Sequence, residues 1–465
     1  MNLYRILVVV PLILFLSHFN SLSQIKDTTK SKLYEGEARR IIAEGLKTCQ
    51  AYRMLEDLSL NIGPRLVGSP QAAKAVEWGK QKMESLGFQN VHTEPCTVPH
   101  WVRGAVEEAS IITTRGESIS INICALGGSI ATPEDGIYAE ILQVKSFDDL
   151  KTLGEEANGK IIFFNRPMDP SKISPGEAYG GAVNQRGSGA VEAAKAGGVA
   201  ALIRSMTMQL DDVPHTGSMH YMDTIPKVPA AAISTMGANM LDSLLAIDKN
   251  LKIKIKLSCQ TLPDIESANV IGELTGTEKP EEVIVIGGHL DSWDQGHGAH
   301  DDGAGCVHSI EALRLLKELG LRPKRTIRVV LFMNEEFGLN GGIAYAKEDH
   351  HGEKHICAIE TDAGGFTPRG FGVGADSVNF PRFARWSYLL DPIDAGRITR
   401  GGGGADISEL AKLGVITIGL RVDGQRYFDY HHSGNDTIDK VHPRELELGA
   451  IAIAIFSYAI AQEGI

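Results

Sequence analysis

The sequence predicts an α/β protein: a doubly wound, mostly parallel sheet, interrupted by an inserted domain. Three observations predict it. Beyond residue 268, short β-branched runs alternate with stretches of helical apolar spacing, the pattern of a parallel sheet. Between about 135 and 255 the texture changes to short strands and Gly-rich turns without recognisable chemistry. The chain has 465 residues, too many for one compact domain, with 43% apolar and 22% charged residues, as in ordinary globular proteins.

The elements follow in order. Arg5, the apolar run 6–16 and the small residues around Ser21-Leu22-Ser23 have the layout of an export signal over residues 1–23. The expected location is therefore secreted or periplasmic. The run is too short to span a bilayer, and no later stretch is expected to span one, so the mature chain is expected to lack a membrane span. Residues 24–125 form the N-terminal part of the main domain. Within it Ser69-Pro70 supplies a cap and a first-turn proline, and Gly87 closes that helix. Residues 89–125 are strand-rich. Residues 126–258 form the insert, with strands expected at 137–144, 160–164, 199–203 and 230–233 and a helix around 191–196.

Residues 259–465 return to the main sheet. The runs 283–287, 327–333, 355–360 and 415–420 suit buried strands. Val307, Ile310, Leu313 and Leu316 recur at helical spacing. Pro443 opens a last helix that is apolar over 451–460. A net charge of −12 argues against nucleic acid or an acidic bilayer as a partner. The six cysteines contain no C-x-x-C pair, and Cys306 and Cys357 fall inside core elements, where they are expected buried and unpaired.

The chemistry collects where strands end, which is where ligands gather in such sheets. His289 and Asp291 sit two apart at a strand end, so their side chains point the same way. Asp301-Asp302 precede a helix, where they serve as caps or as ligands. Glu335-Glu336 follow the 327–333 run directly, Asp362 follows the next strand, and His431-His432 follow the last. Four acidic groups at successive strand ends repel one another unless divalent cations receive them. Imidazoles mixed with carboxylates point first to zinc.

The strings HLDSWD, GAHDDGAG, NEEFGLNGG and HHSGNDT resemble the co-catalytic di-zinc exopeptidases, the family of bacterial leucyl aminopeptidases and glutamate carboxypeptidases. The resemblance runs from about residue 35 to the end. It implies the zinc exopeptidase fold with a protease-associated-like insert, within which PHTGSMHY (214–221) also matches, and it suggests a homodimer. It further implies two zinc ions per subunit. His289 and Asp362 would hold one, Glu336 and His432 the other, and Asp301 would bridge them through a cis peptide to Asp302. Glu335 would be the general base and Asp291 the partner that orients His289. The family's histidine stands a short polar stretch before Asp-Thr, which fits His432 and not His431. The activity implied is hydrolysis of dipeptides or short peptides of carboxypeptidase or dipeptidase type. The alternatives are an aminopeptidase and a single-zinc glutaminyl cyclase. Substrate-binding residues are not assigned: Asp406 is either a helix cap or a cleft residue. Arg400, Tyr427 and Tyr430 are weak contact candidates, and Trp293 is expected to pack beside the site. His297, His300, His350, His351 and His355 receive no ligand role.

Overall fold

The structure, a computed structural model, describes residues 33–350 and 352–465. The export signal expected at 1–23, and His351, lie outside them. Two eight-stranded sheets organise the described chain.

In the first sheet the strands run Gln89–Val102, Gln260–Leu274, Arg325–Phe332, Lys279–His289, Lys354–Glu360, Ile416–Val422, Pro368–Val373 and Arg397–Arg400. The four central strands pair in parallel, and antiparallel pairs flank them. The parallel centre matches the run pattern of the sequence. Arg325–Phe332 is buried at every position, as a strand covered on both faces must be. Helices Ala304–Glu318 and Pro443–Glu463 pack together on one face and share a continuous apolar core. The last helix is long and apolar enough to cross a membrane, contrary to the expectation that no such stretch follows the leader. Its residues are instead buried from Leu446 to Gln462, apart from Leu448, because a central helix is covered on nearly all sides. The expected cap at Ser69 is present: its Oγ accepts the Ala72 N–H at 3.1 Å.

The second sheet runs Ser118–Ile121, Glu107–Ile112, Lys252–Leu257, Ile137–Val144, Ile161–Phe164, Ala200–Arg204, Ala230–Ile233 and Ile123–Ala125. Glu107–Ala125 therefore pairs here, so the sheet changes between Val102 and Glu107 rather than at residue 126. Glu107–Ile112 pairs along its length with Lys252–Leu257, a partner some 140 residues away that local composition does not indicate. Gln89–Val102 and Gln260–Leu274 form a long antiparallel ribbon at the entry and exit of this sheet. The described cysteines are all free thiols, and Cys306 and Cys357 are buried.

Behind the core, Glu447 and Glu311 lie together in the interface of the two long helices. Arg314 holds Glu311 at 2.6 and 2.7 Å. Glu447 Oε2 accepts the Ala51 N–H at 3.1 Å, and its other oxygen is buried without a partner. Burial, with the like charge of Glu311, pushes Glu447 up to about 8. The folded state thus holds a proton that the unfolded chain releases near pH 4. That contribution to stability is complete below the unfolded value and is lost as pH rises through about 8. Glu447→Gln keeps the acceptor for Ala51 and removes the titration. Its melting temperature should fall less than the wild type's between pH 6 and 9, read by calorimetry. Parallel curves for the two proteins would count against this account.

Candidate metal centre

The strand ends of the first sheet build the site. Lys279–His289 delivers His289, Arg325–Phe332 leads into Glu335 and Glu336, and Lys354–Glu360 leads into Asp362. Asp301 comes from the turn before Ala304–Glu318, where the Asp301–Asp302 peptide is cis. Gly288 and Gly305 are required locally, because a Cβ at either would collide with the Asp302 carboxylate.

His289 Nε2 lies 3.3 Å from Asp301 Oδ1 and 3.8 Å from Asp362 Oδ1. His432 Nε2 lies 3.3 Å from Asp301 Oδ2 and 3.0 Å from Glu336 Oε2. The two oxygens of Asp301 therefore face two separate imidazole–carboxylate pairs. Three overlapping sets have ligand atoms within 4.8 Å of one another: His289, Asp302 and Asp362; His289, Asp301 and Glu336; Asp301, His431 and His432.

Two members of these sets are otherwise engaged or more remote. Asp302 accepts the backbone N–H of Gly305 at 2.8 Å and of His289 at 3.1 Å, so both its oxygens are taken. His431 stacks on His432 with ring centroids 3.5 Å apart and stands 3.9 Å from Asp301 Oδ2.

The nest fits a pair of divalent cations. His289 Nε2, Asp301 Oδ2 and Glu336 Oε1 are buried without a hydrogen-bond partner, a costly state that a bound cation relieves. Burial pushes Glu336 and Asp302 well above the ordinary carboxylate range. Burial, then the neighbouring acids, pushes Glu335 up to about 8. Against the pull of burial, Asp301 and Asp362 hold His289 well above its usual value, so positive charge is drawn in even as a proton. Burial, with Arg186 nearby, keeps His431 and His432 neutral, the form that ligates. Mixed imidazole and carboxylate donors suit zinc.

Asp291 supports the site in a different way from the expected carboxylate–imidazole contact. The Nδ1–H of His289 donates to the backbone carbonyl of Asp291 at 3.0 Å, and the carboxylate stands 3.9 Å off. That carboxylate instead accepts the backbone N–H groups of Asn334, Glu335 and Glu336 at 2.7, 3.2 and 3.4 Å. It organises the turn that presents the two glutamates, whose start at Asn334 has φ 71°.

Arg65 and Asp436 support the site without having been singled out in the sequence, and other residues weighed there take definite places. Arg65 is wholly buried and donates to the carbonyls of Leu290, His297 and Gly298 at 2.5, 2.8 and 2.8 Å. Asp436 accepts the N–H groups of His300 and Asp301. Trp293 does more than pack: its indole N–H donates to Glu336 Oε2 at 2.5 Å. Tyr427 O–H donates to Asp362 Oδ1 at 3.2 Å. His300 is buried and stacked between Phe366 and Tyr430. Arg400 lies over the Phe380 ring. Asp406 is no helix cap: its oxygens are buried without partners, and Glu360 accepts the N–H groups of Ala405 and Ile407 instead.

The second sheet also reaches the site. His215 Nδ1–H donates to the His431 carbonyl, and the Thr216 N–H to the His432 carbonyl, both at 2.8 Å. Arg186 Nη1 stands 3.2 Å from His432 Nδ1. The sequence signal was the PHTGSMHY string, which contains His215 and Thr216 but gives no hint of which loop they meet.

Comparison with known proteins agrees with this geometry. The model of Peptidase family M28 matches residues 269–456, which contain His289, Asp301, Glu335, Glu336, Asp362 and His432. The chain belongs to this family and is a zinc-dependent exopeptidase. It is similar to carboxypeptidase Q: the protein of Bos taurus is 38% identical over 414 residues, 89% of this chain and 85% of its own length, and that of Homo sapiens is 38% identical over 413 residues, again 89% and 85%. A solved peptidase M28 precursor from Shewanella amazonensis SB2B is 37% identical with a TM-score of 0.88, covering 93% of this chain and 97% of its own. The zinc aminopeptidase BSAP of Bacillus subtilis shares the fold at 19% identity, with a TM-score of 0.66 over 89% of this chain and 95% of its own.

Proposed function

We propose that this chain is an exported di-zinc carboxypeptidase or dipeptidase that hydrolyses dipeptides and short peptides. The observation that carries the di-metal reading is Asp301, whose two oxygens each stand 3.3 Å from a different imidazole. His289 and Asp362 would hold one zinc, Glu336 and His432 the other, and Asp301 would serve both half-sites. Zinc, when bound, polarises a carbonyl and lowers the pKa of water. Glu335 takes the proton of the attacking water and returns it to the leaving amine. Asp291 positions Glu335 through the backbone, and its carbonyl fixes the His289 ring so that Nε2 carries the lone pair.

The peptide specificity rests on the likeness to carboxypeptidase Q. Residues 107–257 constitute the protease-associated-like insert, inserted between the two strands of the long ribbon. Hydrolysis of matched dipeptides tests the reading. A free dipeptide and its N-blocked form should be cleaved faster than its C-amidated form. Preference for the amidated form would instead indicate an aminopeptidase, and a zinc content of one per chain would indicate a different use of the fold.

A further inference from the structure

Asp362 and Tyr427 also line a cavity of about 890 Å³ that opens beside the metal centre. One wall is made by Leu420 and Arg421 of the strand Ile416–Val422, Arg397 of the edge strand and Phe428 of the short helix Tyr427–Tyr430. The opposite wall is the loop 171–177 of the second sheet's segment. Gln425 Nε2–H donates to the Ile173 carbonyl at 3.2 Å and ties the two walls together. Ile173 itself projects at the rim, 90% exposed.

The charges in this cavity are unbalanced. Lys172, Arg397 and Arg421 line it, and among the described residues none of the three has a carboxylate within ion-pair distance. Arg421 only leans on the carbonyls of Gly401 and Gly402, at 3.4 and 3.5 Å. Arg397 and Arg421 also line an adjoining cavity of about 800 Å³, where Asp394 and Asp423 pair with Arg369 and with neither of the other two arginines. The lining acids are Glu177, at the first turn of a helix, and Asp362, which is directed to His289 and Tyr427. A guanidinium matches a carboxylate with two parallel N–H donors, and a pair of them beside an apolar wall suits a residue that is part apolar and part anionic.

We propose that this cavity is a subsite for a carboxylate of the peptide substrate, with Arg397 and Arg421 as its binding residues and Lys172 adding to the field. The proposal rests on the peptidase reading and names what that site selects. The carboxylate is either the substrate's C-terminus or an acidic side chain. Both present the same group to the arginines.

The test uses the zinc-loaded full-length enzyme and four substrates: Ala-Glu, Ala-Gln, Ala-Ala and Ala-Ala amide. In Arg397→Gln/Arg421→Gln, KM for the carboxylate the cavity receives should rise about tenfold, with kcat within about twofold. A rise for all three free acids but not for the amide assigns the C-terminus. A rise for Ala-Glu alone assigns the side chain. Wild-type KM for the affected substrates should also rise with ionic strength. Unchanged KM for every substrate overturns the proposal. If the double variant loses zinc, Arg397→Gln alone, on the exposed edge strand, is read by the same criteria with about a threefold rise expected. Failure of the wild type to cleave any of the four would instead overturn the peptidase reading, before the subsite is tested.

Discussion

Glu335→Gln should lower kcat about 10³-fold while the protein keeps both zinc ions. A positioned general base contributes roughly 10²–10⁴ to rate, and a 10³-fold loss corresponds to about 4 kcal/mol at the transition state. Gln preserves size and one acceptor oxygen but cannot take a proton. The backbone of residue 335 remains held by the Asp291 carboxylate at 3.2 Å, so the turn should persist. At this turn Asn334 Oδ1 and Glu336 Oε1 are buried without a partner and no oxygen of Glu335 is, so Glu336 rather than Glu335 is placed as the ligand and the metal should stay. Steady-state kinetics with elemental analysis of the same sample decides it. Near-normal turnover would remove Glu335 from the base role, and loss of zinc would make it a ligand.

Asp301→Ala should do the reverse, abolishing metal binding together with activity. Asp301 faces both imidazoles, so its removal strips an oxygen from each half-site at once. The metal-free fold should survive, because the substitution deletes one member of a self-repelling acidic cluster. Burial and Asp362 already push Asp301 above its ordinary value, which marks its charge as unfavourable without a cation. Zinc at one hundred times its dissociation constant stabilises a protein by about 2.7 kcal/mol per site. The wild type should therefore melt higher with zinc, and the variant should not. A variant that retains two zinc ions per chain would end the bridging assignment.

The difference between the two predictions shows how much of the site was legible in the sequence. Four of the site residues were readable because they stand at the ends of apolar strands, where a charged residue is conspicuous. His289, Glu335, Glu336 and Asp362 all sit there. The choice of His432 over His431 came from family spacing, and the distances of 3.3 and 3.9 Å to Asp301 favour the same residue. The supports were not readable. Arg65 looks like any arginine in a loop, yet it holds three carbonyls near His289. Asp291 looked like a carboxylate partner for an imidazole, and its carboxylate proved to serve backbone amides across 43 residues or more. The change of sheet between Val102 and Glu107 was missed because pairing with Lys252–Leu257 leaves no local mark.

By itself the sequence determined the alternation of elements, the parallel centre of the first sheet and the identity of the residues that can ligate, since periodicity and residue chemistry are local properties. Only the tertiary structure decided which of those residues converge, that Arg186, His215 and Thr216 meet the histidine loop, and that Lys172 faces Arg397 and Arg421. Those outcomes depend on chain segments separated by hundreds of residues, whose encounter is set by packing and has no signature in either segment alone.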